Sequence, residues 1–187
     1  MLFTESPLII STQRLTLRPV ETKDFPVVGR ALSDPMVVRY YGVQYATPEE
    51  ARIQMQWFDD IKTAGTGFWW AICTSGNAEC IGAVGLNDLN ALSRKAQLGF
   101  WLLPAYWGNG YGTEAVRAIV QHAFTHFHLS RIEAHVETEN RQSARLLTRA
   151  GFRLEVTRVE CEQKGDRRIS LDVFVALHQM GQESGSS

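Results

Sequence analysis

The run Trp107-Gly108-Asn109-Gly110-Tyr111-Gly112-Thr113 constrains this chain more than any other segment. It follows an apolar stretch, Gln97 to Leu103, that Pro104 closes, and it opens a stretch of helical periodicity. From Gly112 to Phe127 the residues Ala115, Ile119, Ala123 and Phe127 share one face, with Val116, Val120 and Phe124 beside them. Strand, glycine turn and helix therefore follow one another directly. Closely spaced glycines let the backbone approach a ligand, and a helix start offers unpaired N–H groups at the positive end of its dipole. Such a turn cradles a phosphate without a basic side chain. Its spacing is G-x-G-x-G, so it is neither the dinucleotide fingerprint nor a lysine-bearing P-loop.

The remaining pattern predicts an α/β chain. Arg14 to Pro19 alternates at period two, as a half-buried strand does. A helix is expected over Asp24 to Leu32. A second starts at Thr47-Pro48 with Glu50 completing a capping box, and carries Ile53, Trp57 and Ile61 as its apolar stripe. Strands follow at Phe68–Cys73 and Cys80–Leu86 around a polar turn, then a loop from Asn87 to Lys95, then the strand at Gln97. Arg131–Val136 reads as a strand and Asn140–Ala150 as a helix ended by Gly151. Phe152–Glu162 and Arg168–Leu177 read as two last strands. That order gives a central mixed sheet of about seven strands with helices on both faces.

Composition narrows the function. A net charge of −1 argues against a bulk nucleic-acid binder, and no apolar run approaches the ~20 residues of a membrane span. The N-terminus lacks the basic-then-apolar order of a signal peptide. Cys73, Cys80 and Cys161 are odd in number and form no CxxC pair, so free thiols, no metal site and a cytoplasmic setting are expected. One domain over residues 1–180 is expected, with 181–187 a disordered tail.

With these residues in view, the chain resembles the GNAT acetyltransferases. Trp107 to Ala115 (WGNGYGTEA) is similar to their acetyl-CoA pyrophosphate loop, [R/Q]-x-x-G-x-[G/A], with Gly110 and Gly112 at the glycine positions and Trp107 in place of Arg or Gln. That tryptophan looks like the ribosomal-protein N-terminal (RimJ/RimL-like) acetyltransferase branch. Arg14 to Pro19, Leu98 to Leu102, and Asn140-Arg141-Gln142-Ser143 with Ala150-Gly151-Phe152 resemble that branch in the same order. The resemblance implies a GNAT fold with acetyl-CoA as co-substrate, lying in a V-shaped opening between the fourth and fifth strands. Leu102 and Leu103 would offer backbone hydrogen bonds to pantetheine, while Gly108, Asn109, Gly110, Tyr111, Gly112 and Thr113 would hold the pyrophosphate. Asn140 would contact the cofactor arm, although by its own position it is also a helix N-cap. Arg141, Arg145 and Arg149 form one stripe at four-residue spacing, either a solvated face or, through Arg141 or Arg145, a contact for the 3′-phosphate.

Two departures bear on catalysis. The tyrosine acid of many relatives is replaced by Leu147, and the branch resemblance points to Ser143 as the substitute. The glutamate base of the fourth strand is replaced by Gln97, whose amide cannot take a proton. Glu160 and Glu162, two apart on one strand and hence on one face, are the candidates for the base, with Asp88 as another. The implied acceptor is a primary amine. An α-amine near pKa 8 costs about 3 kcal/mol less to deprotonate than a lysine near 10.4, which suits a protein N-terminus. A small-molecule amine acetyltransferase and a non-catalytic acyl-CoA-binding module remain the alternatives. A monomer or a homodimer is expected, with no nucleic-acid or membrane partner.

Overall fold

The computed structural model describes residues 9–76 and 79–178, so the expected tail at 181–187 lies outside the described residues. In chain order the elements are β1 (Ile10–Ser11), β2 (Leu15–Pro19), α1 (Phe25–Ser33), α2 (Pro35–Val38), α3 (Arg52–Ala64), β3 (Phe68–Thr74), β4 (Cys80–Asn90) and β5 (Lys95–Leu102). Then come α4 (Tyr111–His126), β6 (Arg131–Glu137), α5 (Arg141–Arg149), β7 (Arg153–Lys164) and β8 (Arg167–Leu177). The strands form one sheet in the order β1-β2-β3-β4-β5-β6-β8-β7. Among the described residues only the β5–β6 pair is parallel.

Alternation along the strands sorts side chains onto two faces. Leu15, Leu17, Phe68, Trp70, Ile72, Leu98, Ile132 and Ala134 meet Ala115, Val116, Ile119 and Ala123 of α4 and Leu147 of α5. Trp69, Ala83 and Trp101 point the other way, onto Val28, Ala31 and Leu32 of α1 and Phe58 of α3. A mixed sheet with helices on both faces is thus borne out. The fourth strand of the sequence pattern is β5, because the short β1 adds an unforeseen edge that pairs Ile10 with Leu17.

Some local expectations change. Thr47 makes no side-chain cap. Pro48–Ala51 forms a 3₁₀ turn instead, and the Glu50 carboxylate accepts from the Ala46 N–H at 3.0 Å. The helix beyond that turn buries Gln54 and Phe58, which leaves Ile53 64% exposed. Of the expected stripe, Trp57 and Ile61 pack half-buried against the core, and Ile53 and Trp57 also flank a groove. Cys73 and Cys80 are paired in register as buried free thiols, and burial pushes the Cys80 thiol up to about 12.

Candidate active site

The site begins where two strands part. β5 and β6 pair at Lys95/Arg131, Ala96/Ile132 and Gln97/Glu133 and no further. Beyond that point a groove of about 1300 Å³ opens between them and runs from the start of α4 to the tip of the β7–β8 hairpin. The Leu103 N–H is spent on the Ile81 carbonyl at 2.9 Å, so Leu103 faces β4 and does not line the groove. Backbone directions alternate along a strand, so the groups turned toward the groove belong to Leu98, Phe100 and Leu102. Of the expected Leu102/Leu103 pair only Leu102 keeps that place, and its carbonyl already accepts from the Trp107 indole at 2.8 Å.

At the α4 end, Gly108 and Gly110 take left-handed φ values of 77° and 80°, which a side chain resists. Gly110 is the N-cap of α4 without a side-chain cap bond, and the first-turn N–H groups have no partner inside the helix. Gly108, Gly110, Tyr111, Gly112 and Thr113 line the groove. Asn109 does not: its amide folds back on the Trp107 carbonyl at 3.1 Å. Gly112 has a second reason to be glycine. A Cβ there would meet Leu146 Cδ1 at 2.6 Å and Leu102 Cδ1 at 3.3 Å, so α5 packs on its bare backbone.

Contacts that sequence reasoning missed hold this loop in place. Glu114 accepts from the Thr12 hydroxyl at 2.7 Å, the Arg14 N–H at 2.9 Å and Arg14 Nε at 2.7 Å. Arg14 also donates to the Asn109 carbonyl at 2.9 Å and lies 4.8 Å over the Tyr111 ring. Burial pushes the Glu114 carboxyl up, yet these hydrogen bonds outweigh it and hold the group below its ordinary value. A charged residue on the opening strand and another in the first turn of a helix were the only signals available.

On the far side, Asn140 Oδ1 accepts from the Ser143 N–H at 3.1 Å, so Asn140 is the N-cap of α5. Both residues line the groove, as do Arg141, Arg145 and Arg149. Leu147 is fully buried core, which removes any acid at that position.

The second face of the sheet carries the polar groups. Ile132, Ala134 and Val136 belong to the core under α4 and α5, so Glu133, His135 and Glu137 project oppositely. His135 lines the groove just past the last β5–β6 pair, with Nε2 3.4 Å from a Glu133 oxygen. A hydrogen bond from Arg131 holds the Glu133 carboxyl below its usual range. Gln97, Asn87 and Glu162 also line the groove, walled by Tyr41, Tyr45 and Trp57. Burial drives the Tyr41 phenol well above the ordinary tyrosine range, so it stays neutral.

The two expected bases separate. Between Arg158 and Glu162 the β7 register slips, and Glu160 takes φ 44° with its N–H on Ser170 Oγ at 2.9 Å. The bulge breaks the alternation that was to place both carboxylates on one face. Glu162 lines the groove, whereas Glu160 and Asp88 do not.

A profile described as an acetyltransferase (GNAT) domain matches residues 14–153. The chain belongs to the GNAT acetyltransferase family. It is an acetyltransferase that uses acetyl-CoA as co-substrate. It is 33% identical over 167 residues to an uncharacterized N-acetyltransferase, p20, of Bacillus licheniformis, covering 89% of this chain and 94% of that one. In structure it is similar to a spermidine N-acetyltransferase from Vibrio cholerae in complex with CoA and spermine, with TM-score 0.79 and 21% identity over 89% and 96% of the two chains. It is also similar to RimL, a ribosomal alpha-N-protein acetyltransferase in complex with Coenzyme A, with TM-score 0.80 and 19% identity over 90% and 97%. No helix among the described residues of this acetyltransferase is long and apolar enough to cross a membrane.

Proposed function

We propose that this acetyltransferase acetylates a protein or peptide α-amine, drawing the acetyl group from acetyl-CoA lying along the open edge of β5. The observation that carries the reading is the parting of β5 and β6. It joins a helix N-terminus fit for pyrophosphate to a polar, aromatic-walled acceptor face in one groove. When bound, acetyl-CoA supplies a thioester open to attack by an amine. The N–H groups of the first turn of α4 meet the pyrophosphate, and the groove-facing backbone of Phe100 and Leu102 aligns the pantetheine arm. Arg145, exposed at the groove wall, meets the 3′-phosphate.

His135 takes the proton of the acceptor amine, and Glu133 orients its ring as a carboxylate orients a base in other enzymes. Glu162 is the carboxylate alternative on the same groove. Ser143, in the first turn of α5, donates to the departing sulfur, where the dipole also favours a thiolate. An α-amine suits such a site because its deprotonation costs about 3 kcal/mol less than that of a lysine. The resemblance of Asn140 to Ser143 to the ribosomal-protein branch supports the same acceptor. A polyamine is the second reading, supported by the buried carboxylate of Glu137 at the acceptor end. Thiol release measured over a panel of a serine-initiated peptide, the same peptide with a blocked N-terminus and an internal lysine, and spermidine tests the proposal. A kcat/KM at least tenfold higher for the free N-terminus is expected, and preference for spermidine would overturn it.

A further inference from the structure

Glu137 is only 7% exposed, yet it closes the groove at the end of β6. Its carboxylate accepts a hydrogen bond from Lys164 Nζ, which also donates to the Arg39 carbonyl at 2.6 Å. Arg39 follows α2, and Lys164 ends β7 at the hairpin tip. All three residues line the groove. One lysine thus ties the two walls that an acceptor must pass between.

Stability explains this pair poorly. The Coulomb gain of a buried ion pair is largely offset by the cost of desolvating both charges. Chemistry explains it better: Lys164 carries a primary ammonium, the same group that the acceptor brings. A carboxylate and a carbonyl converging on one nitrogen make an ammonium site, and a lysine ammonium has three donors to place there. We propose that Glu137 anchors the acceptor's ammonium as it enters, and that Lys164 is an internal amine occupying that anchor until an acceptor displaces it. The proposal rests on the acetyl-transfer reading above and extends it to acceptor recognition.

Exchange of one ammonium for another keeps Glu137 paired throughout, so no bare buried charge arises on the way. Displacement is also mechanically cheap. It needs only the Lys164 side chain to turn away, since β7 is exposed from Arg153 through Gln163 and the β7–β8 pairing that runs to Lys164 and Arg167 stays in place. His135 lies two residues before Glu137 on the same face, about 6.5 Å away along the strand. An amine released from the anchor therefore has a proton acceptor within one short step.

The test is the acceptor KM of Lys164→Met and Glu137→Gln, with the serine-initiated peptide and with spermidine as probes and acetyl-CoA saturating. Lys164→Met is expected to lower the acceptor KM about fivefold or more, because the competitor is gone. Glu137→Gln is expected to raise it about tenfold or more, the weight of one charged hydrogen bond. Opposite signs support the proposal. Shifts in the same direction, or no shift while the wild type turns over, overturn it and leave acetyl transfer standing. Should spermidine alone react, the α-amine reading fails and the same comparison with spermidine still decides the role of Glu137. Acetic anhydride labelling of Lys164 in the wild-type protein provides a readout that needs no variant. Saturating acceptor is expected to raise the labelling of Lys164 relative to the exposed Lys95 at least threefold, a ratio that consumption of anhydride by the acceptor leaves unchanged, and an unaltered ratio would overturn the displacement.

Discussion

Gly110→Ala isolates what the left-handed backbone of the loop contributes to cofactor binding. Gly110 has φ 80°, and the nearest atom to an added Cβ is Arg14 Nη2 at 3.3 Å, the end of a flexible side chain. Space is therefore not the obstacle, whereas the conformation is. Holding a non-glycine residue in the left-handed region costs roughly 1–2 kcal/mol. The loop escapes that cost by leaving the conformation that aims the first-turn N–H groups at a phosphate. The competent fraction falls by the same free energy, so the acetyl-CoA Kd rises about 5- to 30-fold. Asparagine tolerates this region better than alanine, so Gly110→Asn should bind more tightly than Gly110→Ala although its side chain is larger. Calorimetric titration of both variants, with thermal melts to confirm folding, measures the order. Wild-type affinity in Gly110→Ala, or weaker binding by Asn than by Ala, would refute the conformational argument.

Three further outcomes follow from the same geometry. Ser143→Ala should lower kcat about 100-fold at saturating acetyl-CoA while leaving cofactor affinity and the Asn140 cap intact, and a fall of less than threefold removes it from the mechanism. His135→Gln should lower kcat/KM by about 10²-fold and remove the acidic limb of its pH profile. Glu160→Gln should change neither, and an unchanged His135→Gln profile would return the role to Glu162. Burial pulls the imidazole of His122 down to about 4, and its Nε2 has no hydrogen-bond partner among the described residues, so the unfolded chain takes up a proton that the folded one refuses. Stability should fall by about 3 kcal/mol as pH drops from about 6.5 to about 4, and urea midpoints of His122→Leu should flatten that slope.

Local signals carried much of this architecture. The glycine loop, the Asn140 cap and the period of α4 depend on neighbours within a few residues, and each lies where its pattern placed it. What escaped depends on partners far along the chain. The bulge that separates Glu160 from Glu162 is set by pairing with β8, so counting residues along β7 alone put both on one face. His135 gains its meaning only from the point at which β5 and β6 part, which no periodicity reveals. Glu114 holding Arg14 and Thr12, and Glu137 holding Lys164, join segments distant in sequence. Ile53, Trp57 and Ile61 had the right period for α3, and Trp57 and Ile61 do pack on the core, but Ile53 stands 64% exposed because Gln54 and Phe58 take the buried centre of that face.

Acetyl-CoA labelled in its acetyl carbon, incubated with the protein and a serine-initiated peptide, tests the central claim most directly. Product mass and free thiol are followed together over one time course. Label is expected on the peptide's terminal nitrogen, with one free thiol for each acetyl transferred. Tight binding of acetyl-CoA with neither thiol release nor labelled amine, across peptide and spermidine alike, would contradict it and mark the groove as a site that holds the cofactor without using it.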